Sequence, residues 1–233
     1  MLKGLIDQDH LDSTLAYLRR VRDETEEQPP PRRFLEFVAR VLRGLRAGMI
    51  RVVDRDKHGT WVVDPFLVWC INQVFELAYV GNDRSKYRDF AHLEPQPFPP
   101  LRQVVVVHGG TNVRKGSFVG DGCIIYPQTF VDVGAYVDVT TSIGSHVLVG
   151  SCAQIGRKVH LSEGVKLGGF LGTDYNLPVI IEDYVRVGAN TTIGPDVIVR
   201  KGAEIKAGLA LDKDTHVYDA ENIAWIRSDR RSG

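Results

Sequence analysis

From Val107 onward an aliphatic residue stands at every sixth position: Val107, Val113, Val119, Ile125, Val131, Val137, Ile143, Val149, Ile155, Leu161 and Leu167. The phase breaks across "GFLGTDYNLP", residues 169–178, and resumes at Ile181, Val187, Ile193, Val199, Ile205, Leu211 and Val217, eighteen hexads in all. A helix repeats near 3.6 residues and a strand near 2, so neither holds this phase, and a sandwich of alternating strands would lose it within a few hexads. Glycine recurs directly after the aliphatic residue, at 120, 144, 150, 156, 168, 188 and 194. The position two before it holds small or branched residues, among them Ser117, Cys123, Thr129, Ala135, Thr141, Ala153, Thr191 and Ala203. A tight turn in each hexad accounts for both, with glycine supplying positive φ and small side chains filling the inside of a corner. The pattern predicts a mainly β, three-sided prism. Three hexads close one coil of 18 residues, and about six coils stack as parallel strands about 4.8 Å apart.

The N-terminal third has other periods. Leu11, Leu15, Leu18 and Val21 follow helical spacing until "DETEEQPPP" ends the helix. A second helix is predicted over Arg33–Leu45, its apolar face formed by Phe34, Val38, Val41, Leu42 and Leu45, with Gly48 as its stop. "MIRVVDRDKHGTWVV" predicts two strands turning at His58-Gly59. The next helix starts with Asp64 as N-cap and Pro65 in its first turn. The polar, proline-rich run over 81–100 predicts a boundary. The expected organisation is a mixed α/β domain and linker over 1–100, a β-helix over 101–218 and a short tail over 219–233.

Composition narrows the function classes. Lys+Arg and Asp+Glu are equal at 29 each, so no basic field points to nucleic acid and no acidic excess to a disordered tail. Cys70, Cys123 and Cys152 are odd in number and lack metal spacing, which predicts free thiols in a reducing compartment. No apolar run approaches the ~18 residues of a membrane span, and the N-terminus does not read as an export signal. The expected location is cytoplasmic.

Several motifs add a resemblance. "GAYVD" at 134–138, "VGSCAQIG" at 149–156, "VHLS" at 159–162, Gly168-Gly169 and "IIEDYVRVGA" at 180–189 are similar to the tetrahydrodipicolinate N-succinyltransferase family, one of the hexapeptide-repeat acyltransferases. Upstream, "GMIRVVDRDKHGTWV" at 48–62 resembles that family's N-terminal domain. The resemblance implies a left-handed coil and a homotrimer. It implies acyl transfer from a coenzyme A thioester (succinyl-CoA or acetyl-CoA) to a small-molecule amine, with no metal, in grooves between neighbouring prisms. It implies that the 169–178 loop reaches the next subunit. The sequence departs from the family at two acids: Gly144 stands where an aspartate meets the substrate amine, and Thr192 where a glutamate follows. His146 replaces a tryptophan, and Glu163 turns "LSGGV" into "LSEGV".

Acyl transfer to an amine needs a base and donors for a developing oxyanion, and histidine suits the base because its ordinary pKa lies near 6.5. His146 lies outside the core positions, and 18 residues on is Gly164, beside Glu163. His146 is therefore the candidate base and Glu163 its orienting partner. By resemblance the pantetheine arm lies along Gly168, Gly169, Gly188, Ala189, Ala207 and Gly208, and Lys206, with Lys201 and Arg200, would meet phosphates. Arg102, Arg114 and Arg186 are candidate partners for acceptor carboxylates, and His160 is a candidate groove residue. His146 and His160 do not give the three-histidine set of a zinc hydratase on the same prism. The expected function is a coenzyme A-dependent N-acyltransferase on an amino-acid-like amine, in lysine/diaminopimelate metabolism or related secondary metabolism such as tabtoxin biosynthesis. The alternative is a catalytically altered trimeric scaffold.

Overall fold

The computed structural model describes residues 7–24, 31–76, 93–98, 102–214, 216–219 and 224–227. Most of the predicted 81–100 boundary lies outside them, as does most of the predicted tail. Helix α1 (Gln8–Glu24) buries Leu11 and Leu18, and α2 (Pro31–Arg46) buries Val38, Val41, Leu42 and Leu45. The side chain of Phe34 is outside the described set. Strands β1 (Val53–Arg55) and β2 (Trp61–Val63) form the antiparallel hairpin around Gly59. Helix α3 (Pro65–Glu76) starts as the sequence predicts, with Asp64 Oδ1 accepting from the amides of Phe66 at 2.9 Å and Leu67 at 3.3 Å.

The hexads build a three-sided parallel β-helix of 17 two-residue strands, β3 (Val105–Val106) to β19 (Ala210–Leu211), in three sheets of six, five and six. The first face shows Ile124, Ser142, His160, Arg186 and Glu204 outward. The second shows Phe130, Leu148, Lys166, Thr192 and Ala210, and the third Phe118, Tyr136, Gln154, Ile180 and Ile198. Every hexad aliphatic from Val113 to Leu211 is buried, as are the small residues two places earlier. Inside the corners, Thr129, Thr141 and Thr191 donate their hydroxyls to the carbonyls of Gly144, Gly156 and Lys206, 15 residues on, at 2.8, 2.9 and 3.0 Å.

Three expectations need correction. First, the inward residue of the first coil is Val106, paired with Ile125, and not Val107. One extra residue before β4 (Asn112–Val113) is taken up at Gly109 and Gly110, with φ of 136° and 87°. Second, Val217 does not continue the prism: it pairs with Ile226 in an antiparallel hairpin of β20 (His216–Asp219) and β21 (Ala224–Arg227). Third, the glycines that follow the aliphatic residue do not supply the positive φ. The left-handed residue lies two places further on. It is Gln128, His146, Gly164, Asn190 and Gly208 along one edge, and Thr140, Lys158, Tyr184 and Gly202 along another. The glycines after the aliphatic residue answer to stacking instead. A Cβ on Gly188 would stand 2.4 Å from Ala207 N, and one on Gly150 would stand 2.5 Å from Gly168 C.

The third face is not solvent-facing. The N-terminal elements cover it, and Val133, Cys152, Phe170 and Ile180 join one apolar core with Leu42, Ile71 and Leu67. Arg51 lies 3.7 Å over the Tyr136 ring and donates to Gln154 Oε1 at 2.9 Å. Arg55 pairs with the buried Glu182 at 2.7 Å, and Trp61 Nε1 donates to the same carboxylate at 3.2 Å. The 169–178 loop is anchored at both ends rather than projecting from its first residue. Ser151 Oγ accepts from the amides of Phe170 and Leu171 at 2.9 and 3.0 Å, and Asp196 accepts from Leu177 at 2.6 Å. Its tip, residues 172–176, is exposed. No helix among the described residues is long and apolar enough to cross a membrane.

Candidate functional site

Among the described residues no element covers the first or second face, and the edge where they meet carries most of the candidate chemistry. Backbone bonds stack this edge coil upon coil. His146 N donates to Pro127 O at 3.2 Å, Gly164 N to Ser145 O at 2.9 Å, Asn190 N to Glu163 O at 2.9 Å and Gly208 N to Ala189 O at 2.8 Å. His146, Glu163, Gly188, Ala189, Lys206, Ala207 and Gly208 therefore share one edge, with His146 and Glu163 on successive coils and both side chains exposed. No hydrogen bond or ion pair joins His146 to Glu163, so the orienting pair foreseen from sequence is a stacked neighbour and not a formed dyad. His146 holds φ of 60°, which fixes its direction at the corner.

His160 and Arg186 sit side by side on the adjoining first face, paired in register. Arg186 is exposed and lies 3.7 Å from Glu204. The other candidates fall elsewhere. Gly168 and Gly169 are on the second edge, stacked over Gly150, and do not line the edge that carries Gly188 and Ala207. Arg200 and Lys201 are on the third edge, where Arg200 lies 3.4 Å from Glu182 and Lys201 N donates to Glu182 Oε2 at 3.0 Å. Those two cations are therefore separated from Lys206. Arg102 is held by Asp121 at 2.7 Å and the Val119 carbonyl, and Arg114 lies 3.9 Å from Asp132 and over the Phe130 ring.

Two polar side chains on the candidate edge escaped sequence reasoning: Gln128, one coil below His146, and Asn190, one coil above Gly164. Counting 18 residues from His146 reaches Gln128. Asn190 is displaced by the inserted loop, and its signal is an asparagine at a left-handed corner. The Asn190 side chain lies over Gly164, with Oδ1 2.3 Å from where a Cβ would stand, so the small residue leaves room for it.

Thiolate chemistry is closed to this molecule near neutral pH. Burial, followed by Asp64, pushes Cys70 up to about 12, and burial pushes Cys123 up to about 11. The fully buried Cys152 is raised as well, first by burial and then by Asp132. Among the described residues no group of three or more His, Cys, Asp or Glu stands together as a metal site.

No protein-family model matches the chain. It is 35% identical over 188 residues to a 2,3,4,5-tetrahydropyridine-2,6-dicarboxylate N-succinyltransferase of Polynucleobacter asymbioticus, covering 78% of this chain and 68% of that protein. The protein of the same name from Dechloromonas aromatica is 32% identical over 217 residues, covering 91% and 79%. That from Idiomarina loihiensis is 35% identical over 195 residues, covering 80% and 70%. A solved mutant of perosamine N-acetyltransferase from Caulobacter crescentus, in complex with CoA and GDP-perosamine, matches at 21% identity and a TM-score of 0.41, covering 47% of this chain and 48% of that one.

Proposed function

We propose a reaction for a chain that belongs to the 2,3,4,5-tetrahydropyridine-2,6-dicarboxylate N-succinyltransferase family and is an acyltransferase: succinyl transfer from a coenzyme A thioester to the amine of an amino-acid-like dicarboxylate. The observation that carries it is the first edge. It stacks a histidine, a carboxylate and a run of small residues on consecutive coils of an exposed ridge. His146 takes the proton that the amine loses as its nitrogen bonds to the thioester carbonyl carbon. The C–S bond breaks as the tetrahedral centre collapses, the thiolate leaves, and the proton on His146 returns to that sulfur. Glu163 stands on the next coil of the same edge, a carboxylate stacked above His146. A side chain at position 144 would need the coils to shift, since a Cβ on Gly144 stands 2.8 Å from Glu163 N and 2.9 Å from Ser162 C. With glycine at 144, Glu163 is the carboxylate this edge offers one coil up. Gly188, Ala189, Ala207 and Gly208 leave backbone accessible to the amide-bearing pantetheine arm, Lys206 faces its phosphates, and Arg186 with His160 receives the acceptor carboxylates.

The groove is assembled by trimerisation. Ile124, Tyr126, Leu148 and Leu209 are exposed around the first edge, an apolar surround that a second copy would cover. Gly168, Gly169 and the tip of the 169–178 loop lie on the second edge, so they meet the first edge only across two subunits. A native mass near three times 26.0 kDa is the expected result. Three free, buried thiols suit a reducing cytoplasm.

The test is release of free thiol from succinyl-CoA with an amino-dicarboxylate acceptor, acetyl-CoA run in parallel. His146→Ala should lower turnover by roughly 10²–10⁴-fold with the fold intact. Unchanged turnover in that variant removes the assignment of the base. The exposed, unbonded state of His146 and Glu163 favours one other reading, a trimeric scaffold; absence of both thiol release and coenzyme A binding by calorimetry would select it.

A further inference from the structure

α2 crosses the lowest coils of the column at Lys115 and Gly116, meeting them with a stripe of Ala39, Leu42, Arg43 and Arg46. Gly116 has φ of 83°, and a Cβ there would stand 2.9 Å from Leu42 Cδ2, so the helix rests directly on the corner. Beside the crossing is an open pocket of about 210 Å³ lined by those six residues. Among the described residues, its charged lining is Arg43, Arg46 and Lys115, all cations. Lys115 is already paired with Glu94 at 2.6 Å. Arg43 has no hydrogen bond or ion pair among the described residues, and Arg46 donates to the Pro97 carbonyl at 2.6 Å. Arg46 is half-buried, and its pKa is lowered first by burial and then by the nearby cation Arg102. With Glu94 balancing only Lys115, the two guanidinium groups leave an excess of positive charge in a partly desolvated place among the described residues, an arrangement that a bound anion would relieve.

We propose that this pocket binds a small phosphate-bearing anion, held by the guanidinium groups of Arg43 and Arg46 with Lys115 as the third cation. Two arginines one turn apart on a helix, facing an ammonium on the corner below, offer donors from several directions. That suits a tetrahedral dianion better than a planar carboxylate, which one guanidinium fork can satisfy. The bound anion would bridge α2 to the first coils and fasten the N-terminal elements to the column. The site is separate from the acyl-transfer edge and does not depend on that reading.

The test uses the full chain and inorganic phosphate, titrated against chloride at constant ionic strength while Tm is recorded. The expected result is a saturating rise of roughly 2–4 °C. Arg43→Gln, a change at an exposed side chain, should raise the half-saturating phosphate at least tenfold and leave thiol release from succinyl-CoA as it was; Arg46→Gln is the second variant. Succinate at equal ionic strength should give no saturating rise. A phosphate titration without saturation overturns the proposal, as do variants that titrate like the parent. A succinate response equal to that of phosphate overturns the choice of phosphate.

Discussion

A repeat that reads as one preference for glycine conceals two constraints acting two positions apart. Gly150 and Gly188 have no left-handed φ but lie against the backbone of the next coil, at 2.5 and 2.4 Å from the nearest atom for an added Cβ. Gly202 has open space around it and φ of 74°. Gly188→Ala must therefore push two coils apart, at a cost of about 1–3 kcal/mol, whereas Gly202→Ala carries only the left-handed penalty of about 1–2 kcal/mol. Urea denaturation of the two variants measures both. The left-handed position is also filled by His146, which yields a prediction that separates chemistry from scaffold: His146→Gly should keep or raise Tm, because its φ of 60° suits glycine, while losing as much turnover as His146→Ala. The letters of the sequence could not sort these cases. Threonine, lysine, cysteine and tyrosine also occupy the left-handed place, held there by stacking of the coils.

At the level of elements, local signals fixed starts and stops wherever a single residue makes the bond. Asp64 caps α3 through two amides, so Asp64→Ala should cost about 1 kcal/mol in a thermal melt, with little change in turnover because α3 is on the covered third face. Glu182 fastens the β1–β2 hairpin to the third edge through Arg55, Trp61 and the Lys201 amide. Limited proteolysis of Glu182→Gln should cut the hairpin faster than in the parent. Register at the two ends of the column was not legible. Residues 104–107 are all valine, so a slip of one residue leaves the aliphatic pattern intact, and only the two glycines at 109 and 110 show where the extra residue goes. At the other end, Val217 keeps the period, 18 residues on from Val199, but the strand of Ile198 and Val199 ends its sheet and Val217 does not add to it. There an antiparallel partner, Ile226, supplies the hydrogen bonds instead.

For the whole molecule, the prism was legible because no coil can bury its aliphatic residues alone and the period is the record of that need. The grouping of the site was only half legible. Counting by 18 brings His146 to Gly164, but a ten-residue loop shifts the count for Asn190, and which face the N-terminal elements cover is written in no period at all. One consequence of that covering can be measured across the whole fold. The N-terminal core and the prism bury Cys70, Cys123 and Cys152, raising each above its ordinary value of 9.0. In the unfolded chain these thiols lose their protons as pH passes 9, while the folded chain keeps them. The folded state then binds more protons than the unfolded one, so stability falls as pH rises above 9 and these thiols leave it unchanged below about 8. Cys123, held at about 11, contributes on the order of 1–2 kcal/mol of that loss by pH 10.5. Urea midpoints at pH 7.5 and 10.5 should show a smaller drop in Cys123→Ala than in the parent, whatever the variant's own stability at pH 7.5. Equal drops would mean that this thiol meets water in the folded chain, and the closed interior assigned to the column would have to be given up at that corner.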